Sequence, residues 1–216
     1  MGYKWVTHAD GSASAVFVDD TAPSPGIGHN DGPRLTADAR FMACIPLVLA
    51  HEGGFVDNKA DPGGATKHGI SLRYARTRGS LFDLDHNGVV DKADILRVTP
   101  EFAAMVYRQW FWADVRGDDL PAGVDYAMFD YAVNSGAGRP IKAVQRLVGV
   151  PVDGFIGPQT LTAIQRRPAA ALVESIQAER LAFLRSLSTW ATFGKGWGRR
   201  VEEVRVKAVA MAKAAG

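Results

Sequence analysis

The sequence at residues 51–55 is His-Glu-Gly-Gly-Phe, and the sequence at residues 61–70 is Asp-Pro-Gly-Gly-Ala-Thr-Lys-His-Gly-Ile. An apolar run with helical spacing precedes them and ends at the carboxylate of Glu52. The paired glycines favour the end of a helix, and the second stretch favours a tight β-hairpin that presents Asp61 and Thr66. The sequence therefore predicts an acid at a helix end, facing an Asp and a Thr on a short hairpin.

This set of side chains is typical of glycoside hydrolysis. That reaction needs one carboxylic acid to protonate the leaving oxygen and a second group to activate water. A zinc peptidase or amidase is disfavoured, because the five histidines show no paired metal-ligand spacing. A glycosidase is thus the class of enzyme that the motif favours.

Composition narrows the class of protein further. The chain has 216 residues, of which 47% are hydrophobic and 22% charged, as in soluble globular proteins. From Val150 onward, ten Lys and Arg face five Asp and Glu, so this part suits an anionic partner. No nucleic-acid motif is found, and we expect no nucleic-acid partner. The one cysteine, Cys44, excludes an intramolecular disulfide and is predicted to be a small buried hydrophobe.

We divide the chain into three parts. Residues 1–35 are rich in Asp, Ser, Gly and Pro and are predicted to be an arm or linker with at most one short strand. Residues 36–120 hold the helix that ends near Glu52, which Pro46 should kink or delay, followed by the hairpin. Residues 121–216 are predicted to be helical and packed on the middle part. The fold class is therefore mainly α (α+β), a small β-hairpin lobe plus a helical bundle.

The last two helices are predicted at about residues 169–189 and 199–214. Between them lies a segment rich in glycine and tryptophan, which we interpret as a link packed between helices.

Residues 83–94 resemble the twelve-residue calcium loop of EF-hand and dockerin proteins. Oxygen-bearing side chains fall at loop positions 1, 3, 5, 9 and 12, and Gly88 at position 6 allows the sharp turn. Position 12 is Asp where a bidentate Glu is commoner. A single loop favours a structural Ca²⁺ site, and the alternative is an acidic turn without metal. The predicted ligands are Asp83, Asp85, Asn87, Val89, Asp91 and Asp94.

Taken together, the chain resembles the lysozyme-like N-acetylmuramidases of glycoside hydrolase family 108. Its later part is similar to the predicted peptidoglycan-binding region that accompanies that family. The resemblance covers about residues 38–205 and implies a lysozyme-like fold. The stretches that carry it are residues 52–55, 61–70, 129–136, 143–145 and 152–158.

The resemblance also implies roles for individual residues. Glu52 is the expected general acid on the glycosidic oxygen, while Asp61 and Thr66 are expected to hold and activate a water on the opposite sugar face. His68, where the family more often has Tyr, and Asn134 are expected to bind substrate. The expected partner is the glycan strand of peptidoglycan, cut between N-acetylmuramic acid and N-acetylglucosamine, with no cofactor for catalysis.

Two alternatives to this muramidase stay open. One is a scaffold protein that grips glycan without cutting it, and the other is a lytic transglycosylase, which uses a single acid/base and releases a 1,6-anhydro product.

The setting that we expect is a phage or prophage endolysin. The first residues lack the apolar core of a secretion signal, and the longest apolar run, residues 41–50, is too short to span a bilayer. We therefore expect a monomer made in the bacterial cytoplasm, without stable membrane insertion, that reaches the periplasmic peptidoglycan through holin.

Overall fold

The computed structural model describes residues 2–7, 13–18, 37–52, 54–57 and 64–215. Within these ranges the chain forms nine α-helices and two small antiparallel sheets. The strands are β1 (Gly2–Thr7), β2 (Ala13–Val18), β3 (Thr66–Lys67) and β4 (Ile70–Ser71). The helices are α1 (Ala37–Glu52), α2 (Leu72–Thr77), α3 (Lys92–Arg97), α4 (Pro100–Tyr107), α5 (Val124–Ser135), α6 (Gly138–Val148), α7 (Pro158–Gln165), α8 (Ala169–Arg185) and α9 (Trp190–Ala214).

Helix α1, whose last residue is Glu52, is built on a buried apolar stripe. It runs without a break through Pro46, so the prediction of a delayed start is wrong. An internal proline costs about 3 kcal/mol, which the burial of four apolar side chains, at about 1.5–3 kcal/mol each, outweighs. These side chains, at most 3% exposed, are Phe41, Cys44, Ile45 and Val48.

The stretch after α1 forms the predicted hairpin lobe in a minimal form. Strands β3 and β4 pair antiparallel, and an isolated bridge joins Val56 to Thr66. The turn between the strands consists of His68 and Gly69, which have positive φ angles of 48° and 75°. This turn therefore depends on a residue without a side chain at its second position.

Helix α5 lies at the centre of the helical part. Its residues from Val124 to Ala132 are all buried, and Asp125 and Asp130 are among them. The helix packs against α1, α6, α8 and α9. A helix buried on every side must pair its charged side chains inside the protein. The partners of Asp130 define the site described below.

Helix α9 is longer than the sequence predicted. Residues 190–198 are helical, so the predicted link is wrong and α8 and α9 pack directly along each other. A Cβ on Gly194 would lie 2.6 Å from the ring of Trp190, so this glycine makes room for a side chain and does not break the helix. The ring centroid of Trp197 lies 5.6 Å from that of Phe193 and 6.3 Å from that of Trp190.

The N-terminal part also contains more structure than predicted. Strands β1 and β2 pair antiparallel over six residues each, where at most one short strand was expected. The aromatic and β-branched residues of both segments favour strands.

Among the helices that the structure describes, none has the length and apolar character needed to span a bilayer.

Candidate active site

The carboxyl group of Glu52 lies at the end of α1 and is paired with an arginine from the last helix. Its Oε1 accepts a hydrogen bond of 2.7 Å from Nη1 of Arg200 in α9. The side chains are 19% and 12% exposed, respectively, so water screens this pair only partly. The contact joins two residues that are 148 positions apart in the chain.

The same guanidinium is anchored on a buried carboxylate. Nε and Nη2 of Arg200 lie 3.1 Å from Oδ1 and 3.0 Å from Oδ2 of Asp130, respectively. Nη1 of Arg180 in α8 lies 2.8 Å from Oδ1 of the same carboxylate. Burial opposes the charge of Asp130, but the two arginines outweigh it and lower the pKa of this carboxyl group. We call Glu52, Arg200, Asp130 and Arg180 the ion-pair chain.

A tyrosine and the hairpin turn pack against the other side of Glu52. The hydroxyl of Tyr107 in α4 donates a hydrogen bond of 3.0 Å to the carbonyl oxygen of His68. A Cβ on Gly69 would lie 2.1 Å from that hydroxyl and 2.9 Å from Oε2 of Glu52. Burial, reinforced by the nearby Glu52, raises the pKa of Tyr107, so the hydroxyl keeps its proton.

A cavity of about 290 Å³ opens beside the ion-pair chain. Asn134, at the end of α5, and Trp197 both line it. The ring of Trp197 lies next to that of Phe193 on the same helix, α9. The imidazole of His51 also faces it, and burial, followed by the charge of Arg200, lowers the pKa of this group. His51 is therefore neutral at neutral pH. The lining residues are His51, Asn134, Gly196, Trp197, Arg199 and Arg200.

The structure describes the positions of Thr66, His68 and Asn134, but not that of Asp61. Asn134 lies in the same cavity as Arg200, the partner of Glu52. The hydroxyl of Thr66 in β3 donates to the carbonyl oxygen of Gly64 at 3.4 Å. His68 occupies the hairpin turn, and burial lowers the pKa of its imidazole. The predicted Asp61 lies outside the described residues.

Sequence reasoning missed the ion-pair chain apart from Glu52. The available signal was Asp130, a charged residue within the apolar stretch of residues 126–133. Such a residue is almost never fully buried unless it is paired. Its partners, Arg180 and Arg200, lie 50 or more positions further on, and no local pattern points to them.

The predicted calcium loop brings three of its carboxylates together. One oxygen each from Asp83, Asp85 and Asp94 lie within 4.8 Å of one another. Two oxygens that each bind a Ca²⁺ at about 2.4 Å can be no further apart than this. Asp91 instead caps α3, and its Oδ1 accepts from the backbone N–H of Ala93 at 2.7 Å. Position 9 of such loops often binds through water, so this geometry fits the ion.

Asp94 combines two tasks in this loop. It is 0% exposed, and its two oxygens accept backbone N–H bonds of 2.7 Å from Leu84 and 2.8 Å from Asp91. Burial opposes its charge, but these bonds prevail and lower the pKa of the carboxyl group. Oδ1 also accepts a longer bond of 3.3 Å from the N–H of Asp85, whereas Oδ2 keeps a second lone pair that is available to a cation.

Comparisons with known proteins match the two halves of this arrangement to two families. The family model described as glycosyl hydrolase 108 matches residues 45–136, and that described as predicted peptidoglycan domain matches residues 139–202. The solved structure of Brucella abortus SagA is 42% identical, with a TM-score of 0.69, over 81% of this chain and 97% of that one. No curated protein matches the chain. Glu52 and Arg200 thus fall in different matched regions.

Replacing Asp130 with Asn tests the ion-pair chain. The variant leaves two buried guanidinium groups without their shared negative charge, so we expect a loss of about 3–5 kcal/mol in the free energy of unfolding. Because the pKa of Asp130 is lowered on folding, its contribution is complete above about pH 4 and disappears as the pH falls through the folded value. Urea unfolding of both proteins at several pH values measures this difference.

Glu202→Gln is the matched control, because Glu202 pairs with Arg205 on the exposed side of α9. We expect no measurable change in the unfolding midpoint there, because water and salt screen an exposed ion pair. Equal unfolding midpoints for Asp130→Asn and this control would contradict the role given to Asp130.

Proposed function

The chain belongs to glycosyl hydrolase family 108, and on that premise we propose that it is an N-acetylmuramidase. It is a glycoside hydrolase that acts on peptidoglycan. The bond that we assign to it is the β-1,4 link between N-acetylmuramic acid and N-acetylglucosamine. The observation that carries this proposal is Glu52, a part-buried carboxyl group at a helix end whose partner, Arg200, lines the cavity.

In this mechanism Glu52 in its protonated form donates a proton to the glycosidic oxygen as the bond breaks. Asp61 and Thr66 hold a water on the opposite face of the sugar. Its oxygen forms the new bond to the anomeric carbon while the carboxylate of Asp61 accepts a proton from it. The configuration at that carbon is inverted, as in hydrolases that separate acid and base. The position of Thr66 on the hairpin directly after α1 supports this assignment.

We place the sugar chain along the cavity beside Arg200. Asn134 supplies an amide that can both donate to and accept from hydroxyl and acetamido groups. Trp197 offers a ring face, and Phe193 next to it is 53% exposed. Arg199 is exposed at the rim, where a positive charge favours the carboxylates of muramic acid and its peptide. His68 is assigned to a neighbouring subsite because its turn contacts Tyr107 and Glu52.

One observation favours a second candidate reaction. The other carboxylate near Glu52 among the described residues, Asp130, is held between two arginines and is 0% exposed. A lytic transglycosylase needs a single acid/base, so this alternative requires no second carboxylate. Mass spectrometry of digested sacculi separates the two reactions. Reducing-end muropeptides support the muramidase, and 1,6-anhydro-muropeptides as the main product would exclude it.

Glu52→Gln tests the acid directly. The amide keeps the shape of the side chain but cannot donate the required proton, so we expect the rate to fall about 100- to 10,000-fold. The assay is the loss of turbidity of wall-permeabilised Gram-negative cells, or the release of muropeptides from purified sacculi.

Glu202→Gln serves again as the control, because it makes the same chemical change on the exposed face of α9. It should retain wild-type activity. If Glu52→Gln digests sacculi at the wild-type rate, Glu52 is not the acid, and a glycan-binding scaffold becomes the better reading of the same fold.

We also propose that residues 83–94 bind one structural Ca²⁺. Support comes from the convergence of Asp83, Asp85 and Asp94 and from the sharp turn at Gly88, whose φ is 88°. The loop lies between α2, which follows the hairpin, and α3, which packs against β3. A bound ion would therefore brace the lobe that follows Glu52.

Chelation tests the calcium proposal. A ligand at 100 times its dissociation constant stabilises the folded state by about 2.7 kcal/mol, so we expect EDTA to lower the melting temperature by about 5 °C or more. Added Ca²⁺ should restore it. Asp85→Ala should abolish the response, whereas Asp114→Ala, outside the loop, should keep it. Identical melting curves with chelator and with Ca²⁺ would rule out a structural ion.

A further inference from the structure

Residues from the two matched regions meet at the carboxyl group of Glu52. Glu52 lies in the region matched as a glycosyl hydrolase, and Arg200 lies in the region matched as a peptidoglycan domain. We propose that Arg200, which lines the cavity, is a positioning residue for the reaction and holds the Glu52 carboxyl in place. The inference rests on the proposed function, because it assigns Arg200 a role in the work of Glu52 as acid.

The geometry of the guanidinium group supports this role. Its Nε and Nη2 point to Asp130, and its Nη1 points to Glu52. The planar group of arginine can bind one carboxylate along one edge and a second carboxylate at a remaining nitrogen. A lysine ammonium is a single point of charge and cannot hold both in the same geometry.

The anchor of Arg200 is rigid. Asp130 and Arg180 are 0% and 1% exposed, and they come from two packed helices, α5 and α8. Arg200 comes from α9 and Glu52 from α1, so four helices contribute to the chain of charges. A side chain supported in this way keeps its orientation better than one held only by its own rotamer preference.

Arg200 also supplies the local positive charge that acts on Glu52. From α4, Tyr107 faces Glu52 as a neutral hydroxyl. From α5, the negative charge of Asp130 is shared with Arg180 as well as Arg200. In the hairpin turn, burial lowers the pKa of His68, which favours a neutral imidazole.

The remaining charges in this region face a neighbour of Glu52. His51 precedes it in α1 and has a pKa lowered by burial. Glu203 and Lys207 of α9 face that imidazole with opposite charges. Among the described groups, Arg200 is thus the charge in direct contact with Glu52.

Removing Arg200 removes the hydrogen bond to Glu52 and the charge in contact with it. The carboxyl group then loses the partner that fixes its orientation. This loss should lower kcat, because displacing a catalytic group by about 1 Å can cost about 100-fold.

The test is the measurement of kcat and KM for sacculus digestion by Arg200→Met in the full chain. We expect kcat to fall about 100-fold, and KM should change less than kcat. A purely structural role of Arg200 would reduce the amount of folded enzyme and leave KM and the kcat of each folded molecule unchanged.

Arg200→Lys is a second, more conservative variant, because it keeps the positive charge. Far-UV circular dichroism and melting curves check that every variant is folded. We expect the kcat of Arg200→Lys to fall about tenfold, since one point of charge cannot bind both carboxylates. Arg205→Met is the control, because Arg205 forms exposed pairs on the same helix. Its kcat and KM should match those of the wild type.

Two results would overturn the proposal. One is a kcat of Arg200→Met equal to that of the wild type, and the other is full kcat in Arg200→Lys. Failure of the proposed function has a different signature, namely wild-type digestion by Glu52→Gln. If Glu52→Gln is inactive and Arg200→Met keeps the wild-type kcat, only the positioning role is lost.

Discussion

One buried carboxylate, that of Asp130, fixes the arrangement of charged residues at the centre of this protein. It is 0% exposed and lies between Arg180 and Arg200, while Arg200 in turn reaches Glu52. Removing any of these ions from water costs several kcal/mol, so none of them is tolerable without its neighbours. Because the signs alternate along the chain of charges, each buried charge contacts an opposite one. The position of Glu52 is therefore tied to the packing of α5, α8 and α9.

The two carboxyl oxygens of Glu52 have different neighbours. Oε1 accepts a hydrogen bond from the guanidinium of Arg200, whereas Oε2 lies near the backbone of Gly69, beside the hydroxyl of Tyr107. The strands of the hairpin are very short, but its turn packs against the carboxyl group of Glu52. The region matched as a predicted peptidoglycan domain thus supplies the residue that contacts the proposed acid. This shared construction explains why the two regions are packed into one helical body.

Local sequence patterns predicted much of this arrangement, but they could not predict contacts between residues that are far apart in the chain. The apolar periodicity of α1 and the glycines after Glu52 correctly predicted the helix end and the hairpin lobe. The mainly α, lysozyme-like fold was also predicted correctly. The glycines of residues 190–198 wrongly predicted a break between helices, because Gly194 accommodates the ring of Trp190 inside a continuous helix. Arg200 was not predicted, because its role depends on tertiary packing across 148 positions.

The measurement that tests this account most directly is a double-mutant cycle between Glu52 and Arg200. Glu52→Gln, Arg200→Met and the double variant are compared with the wild type by urea unfolding at neutral pH. A part-buried pair in contact at 2.7 Å predicts a coupling free energy of about 1 kcal/mol or more. Effects that add to within about 0.3–0.5 kcal/mol would mean that the two side chains do not interact in solution, and the central claim would be contradicted.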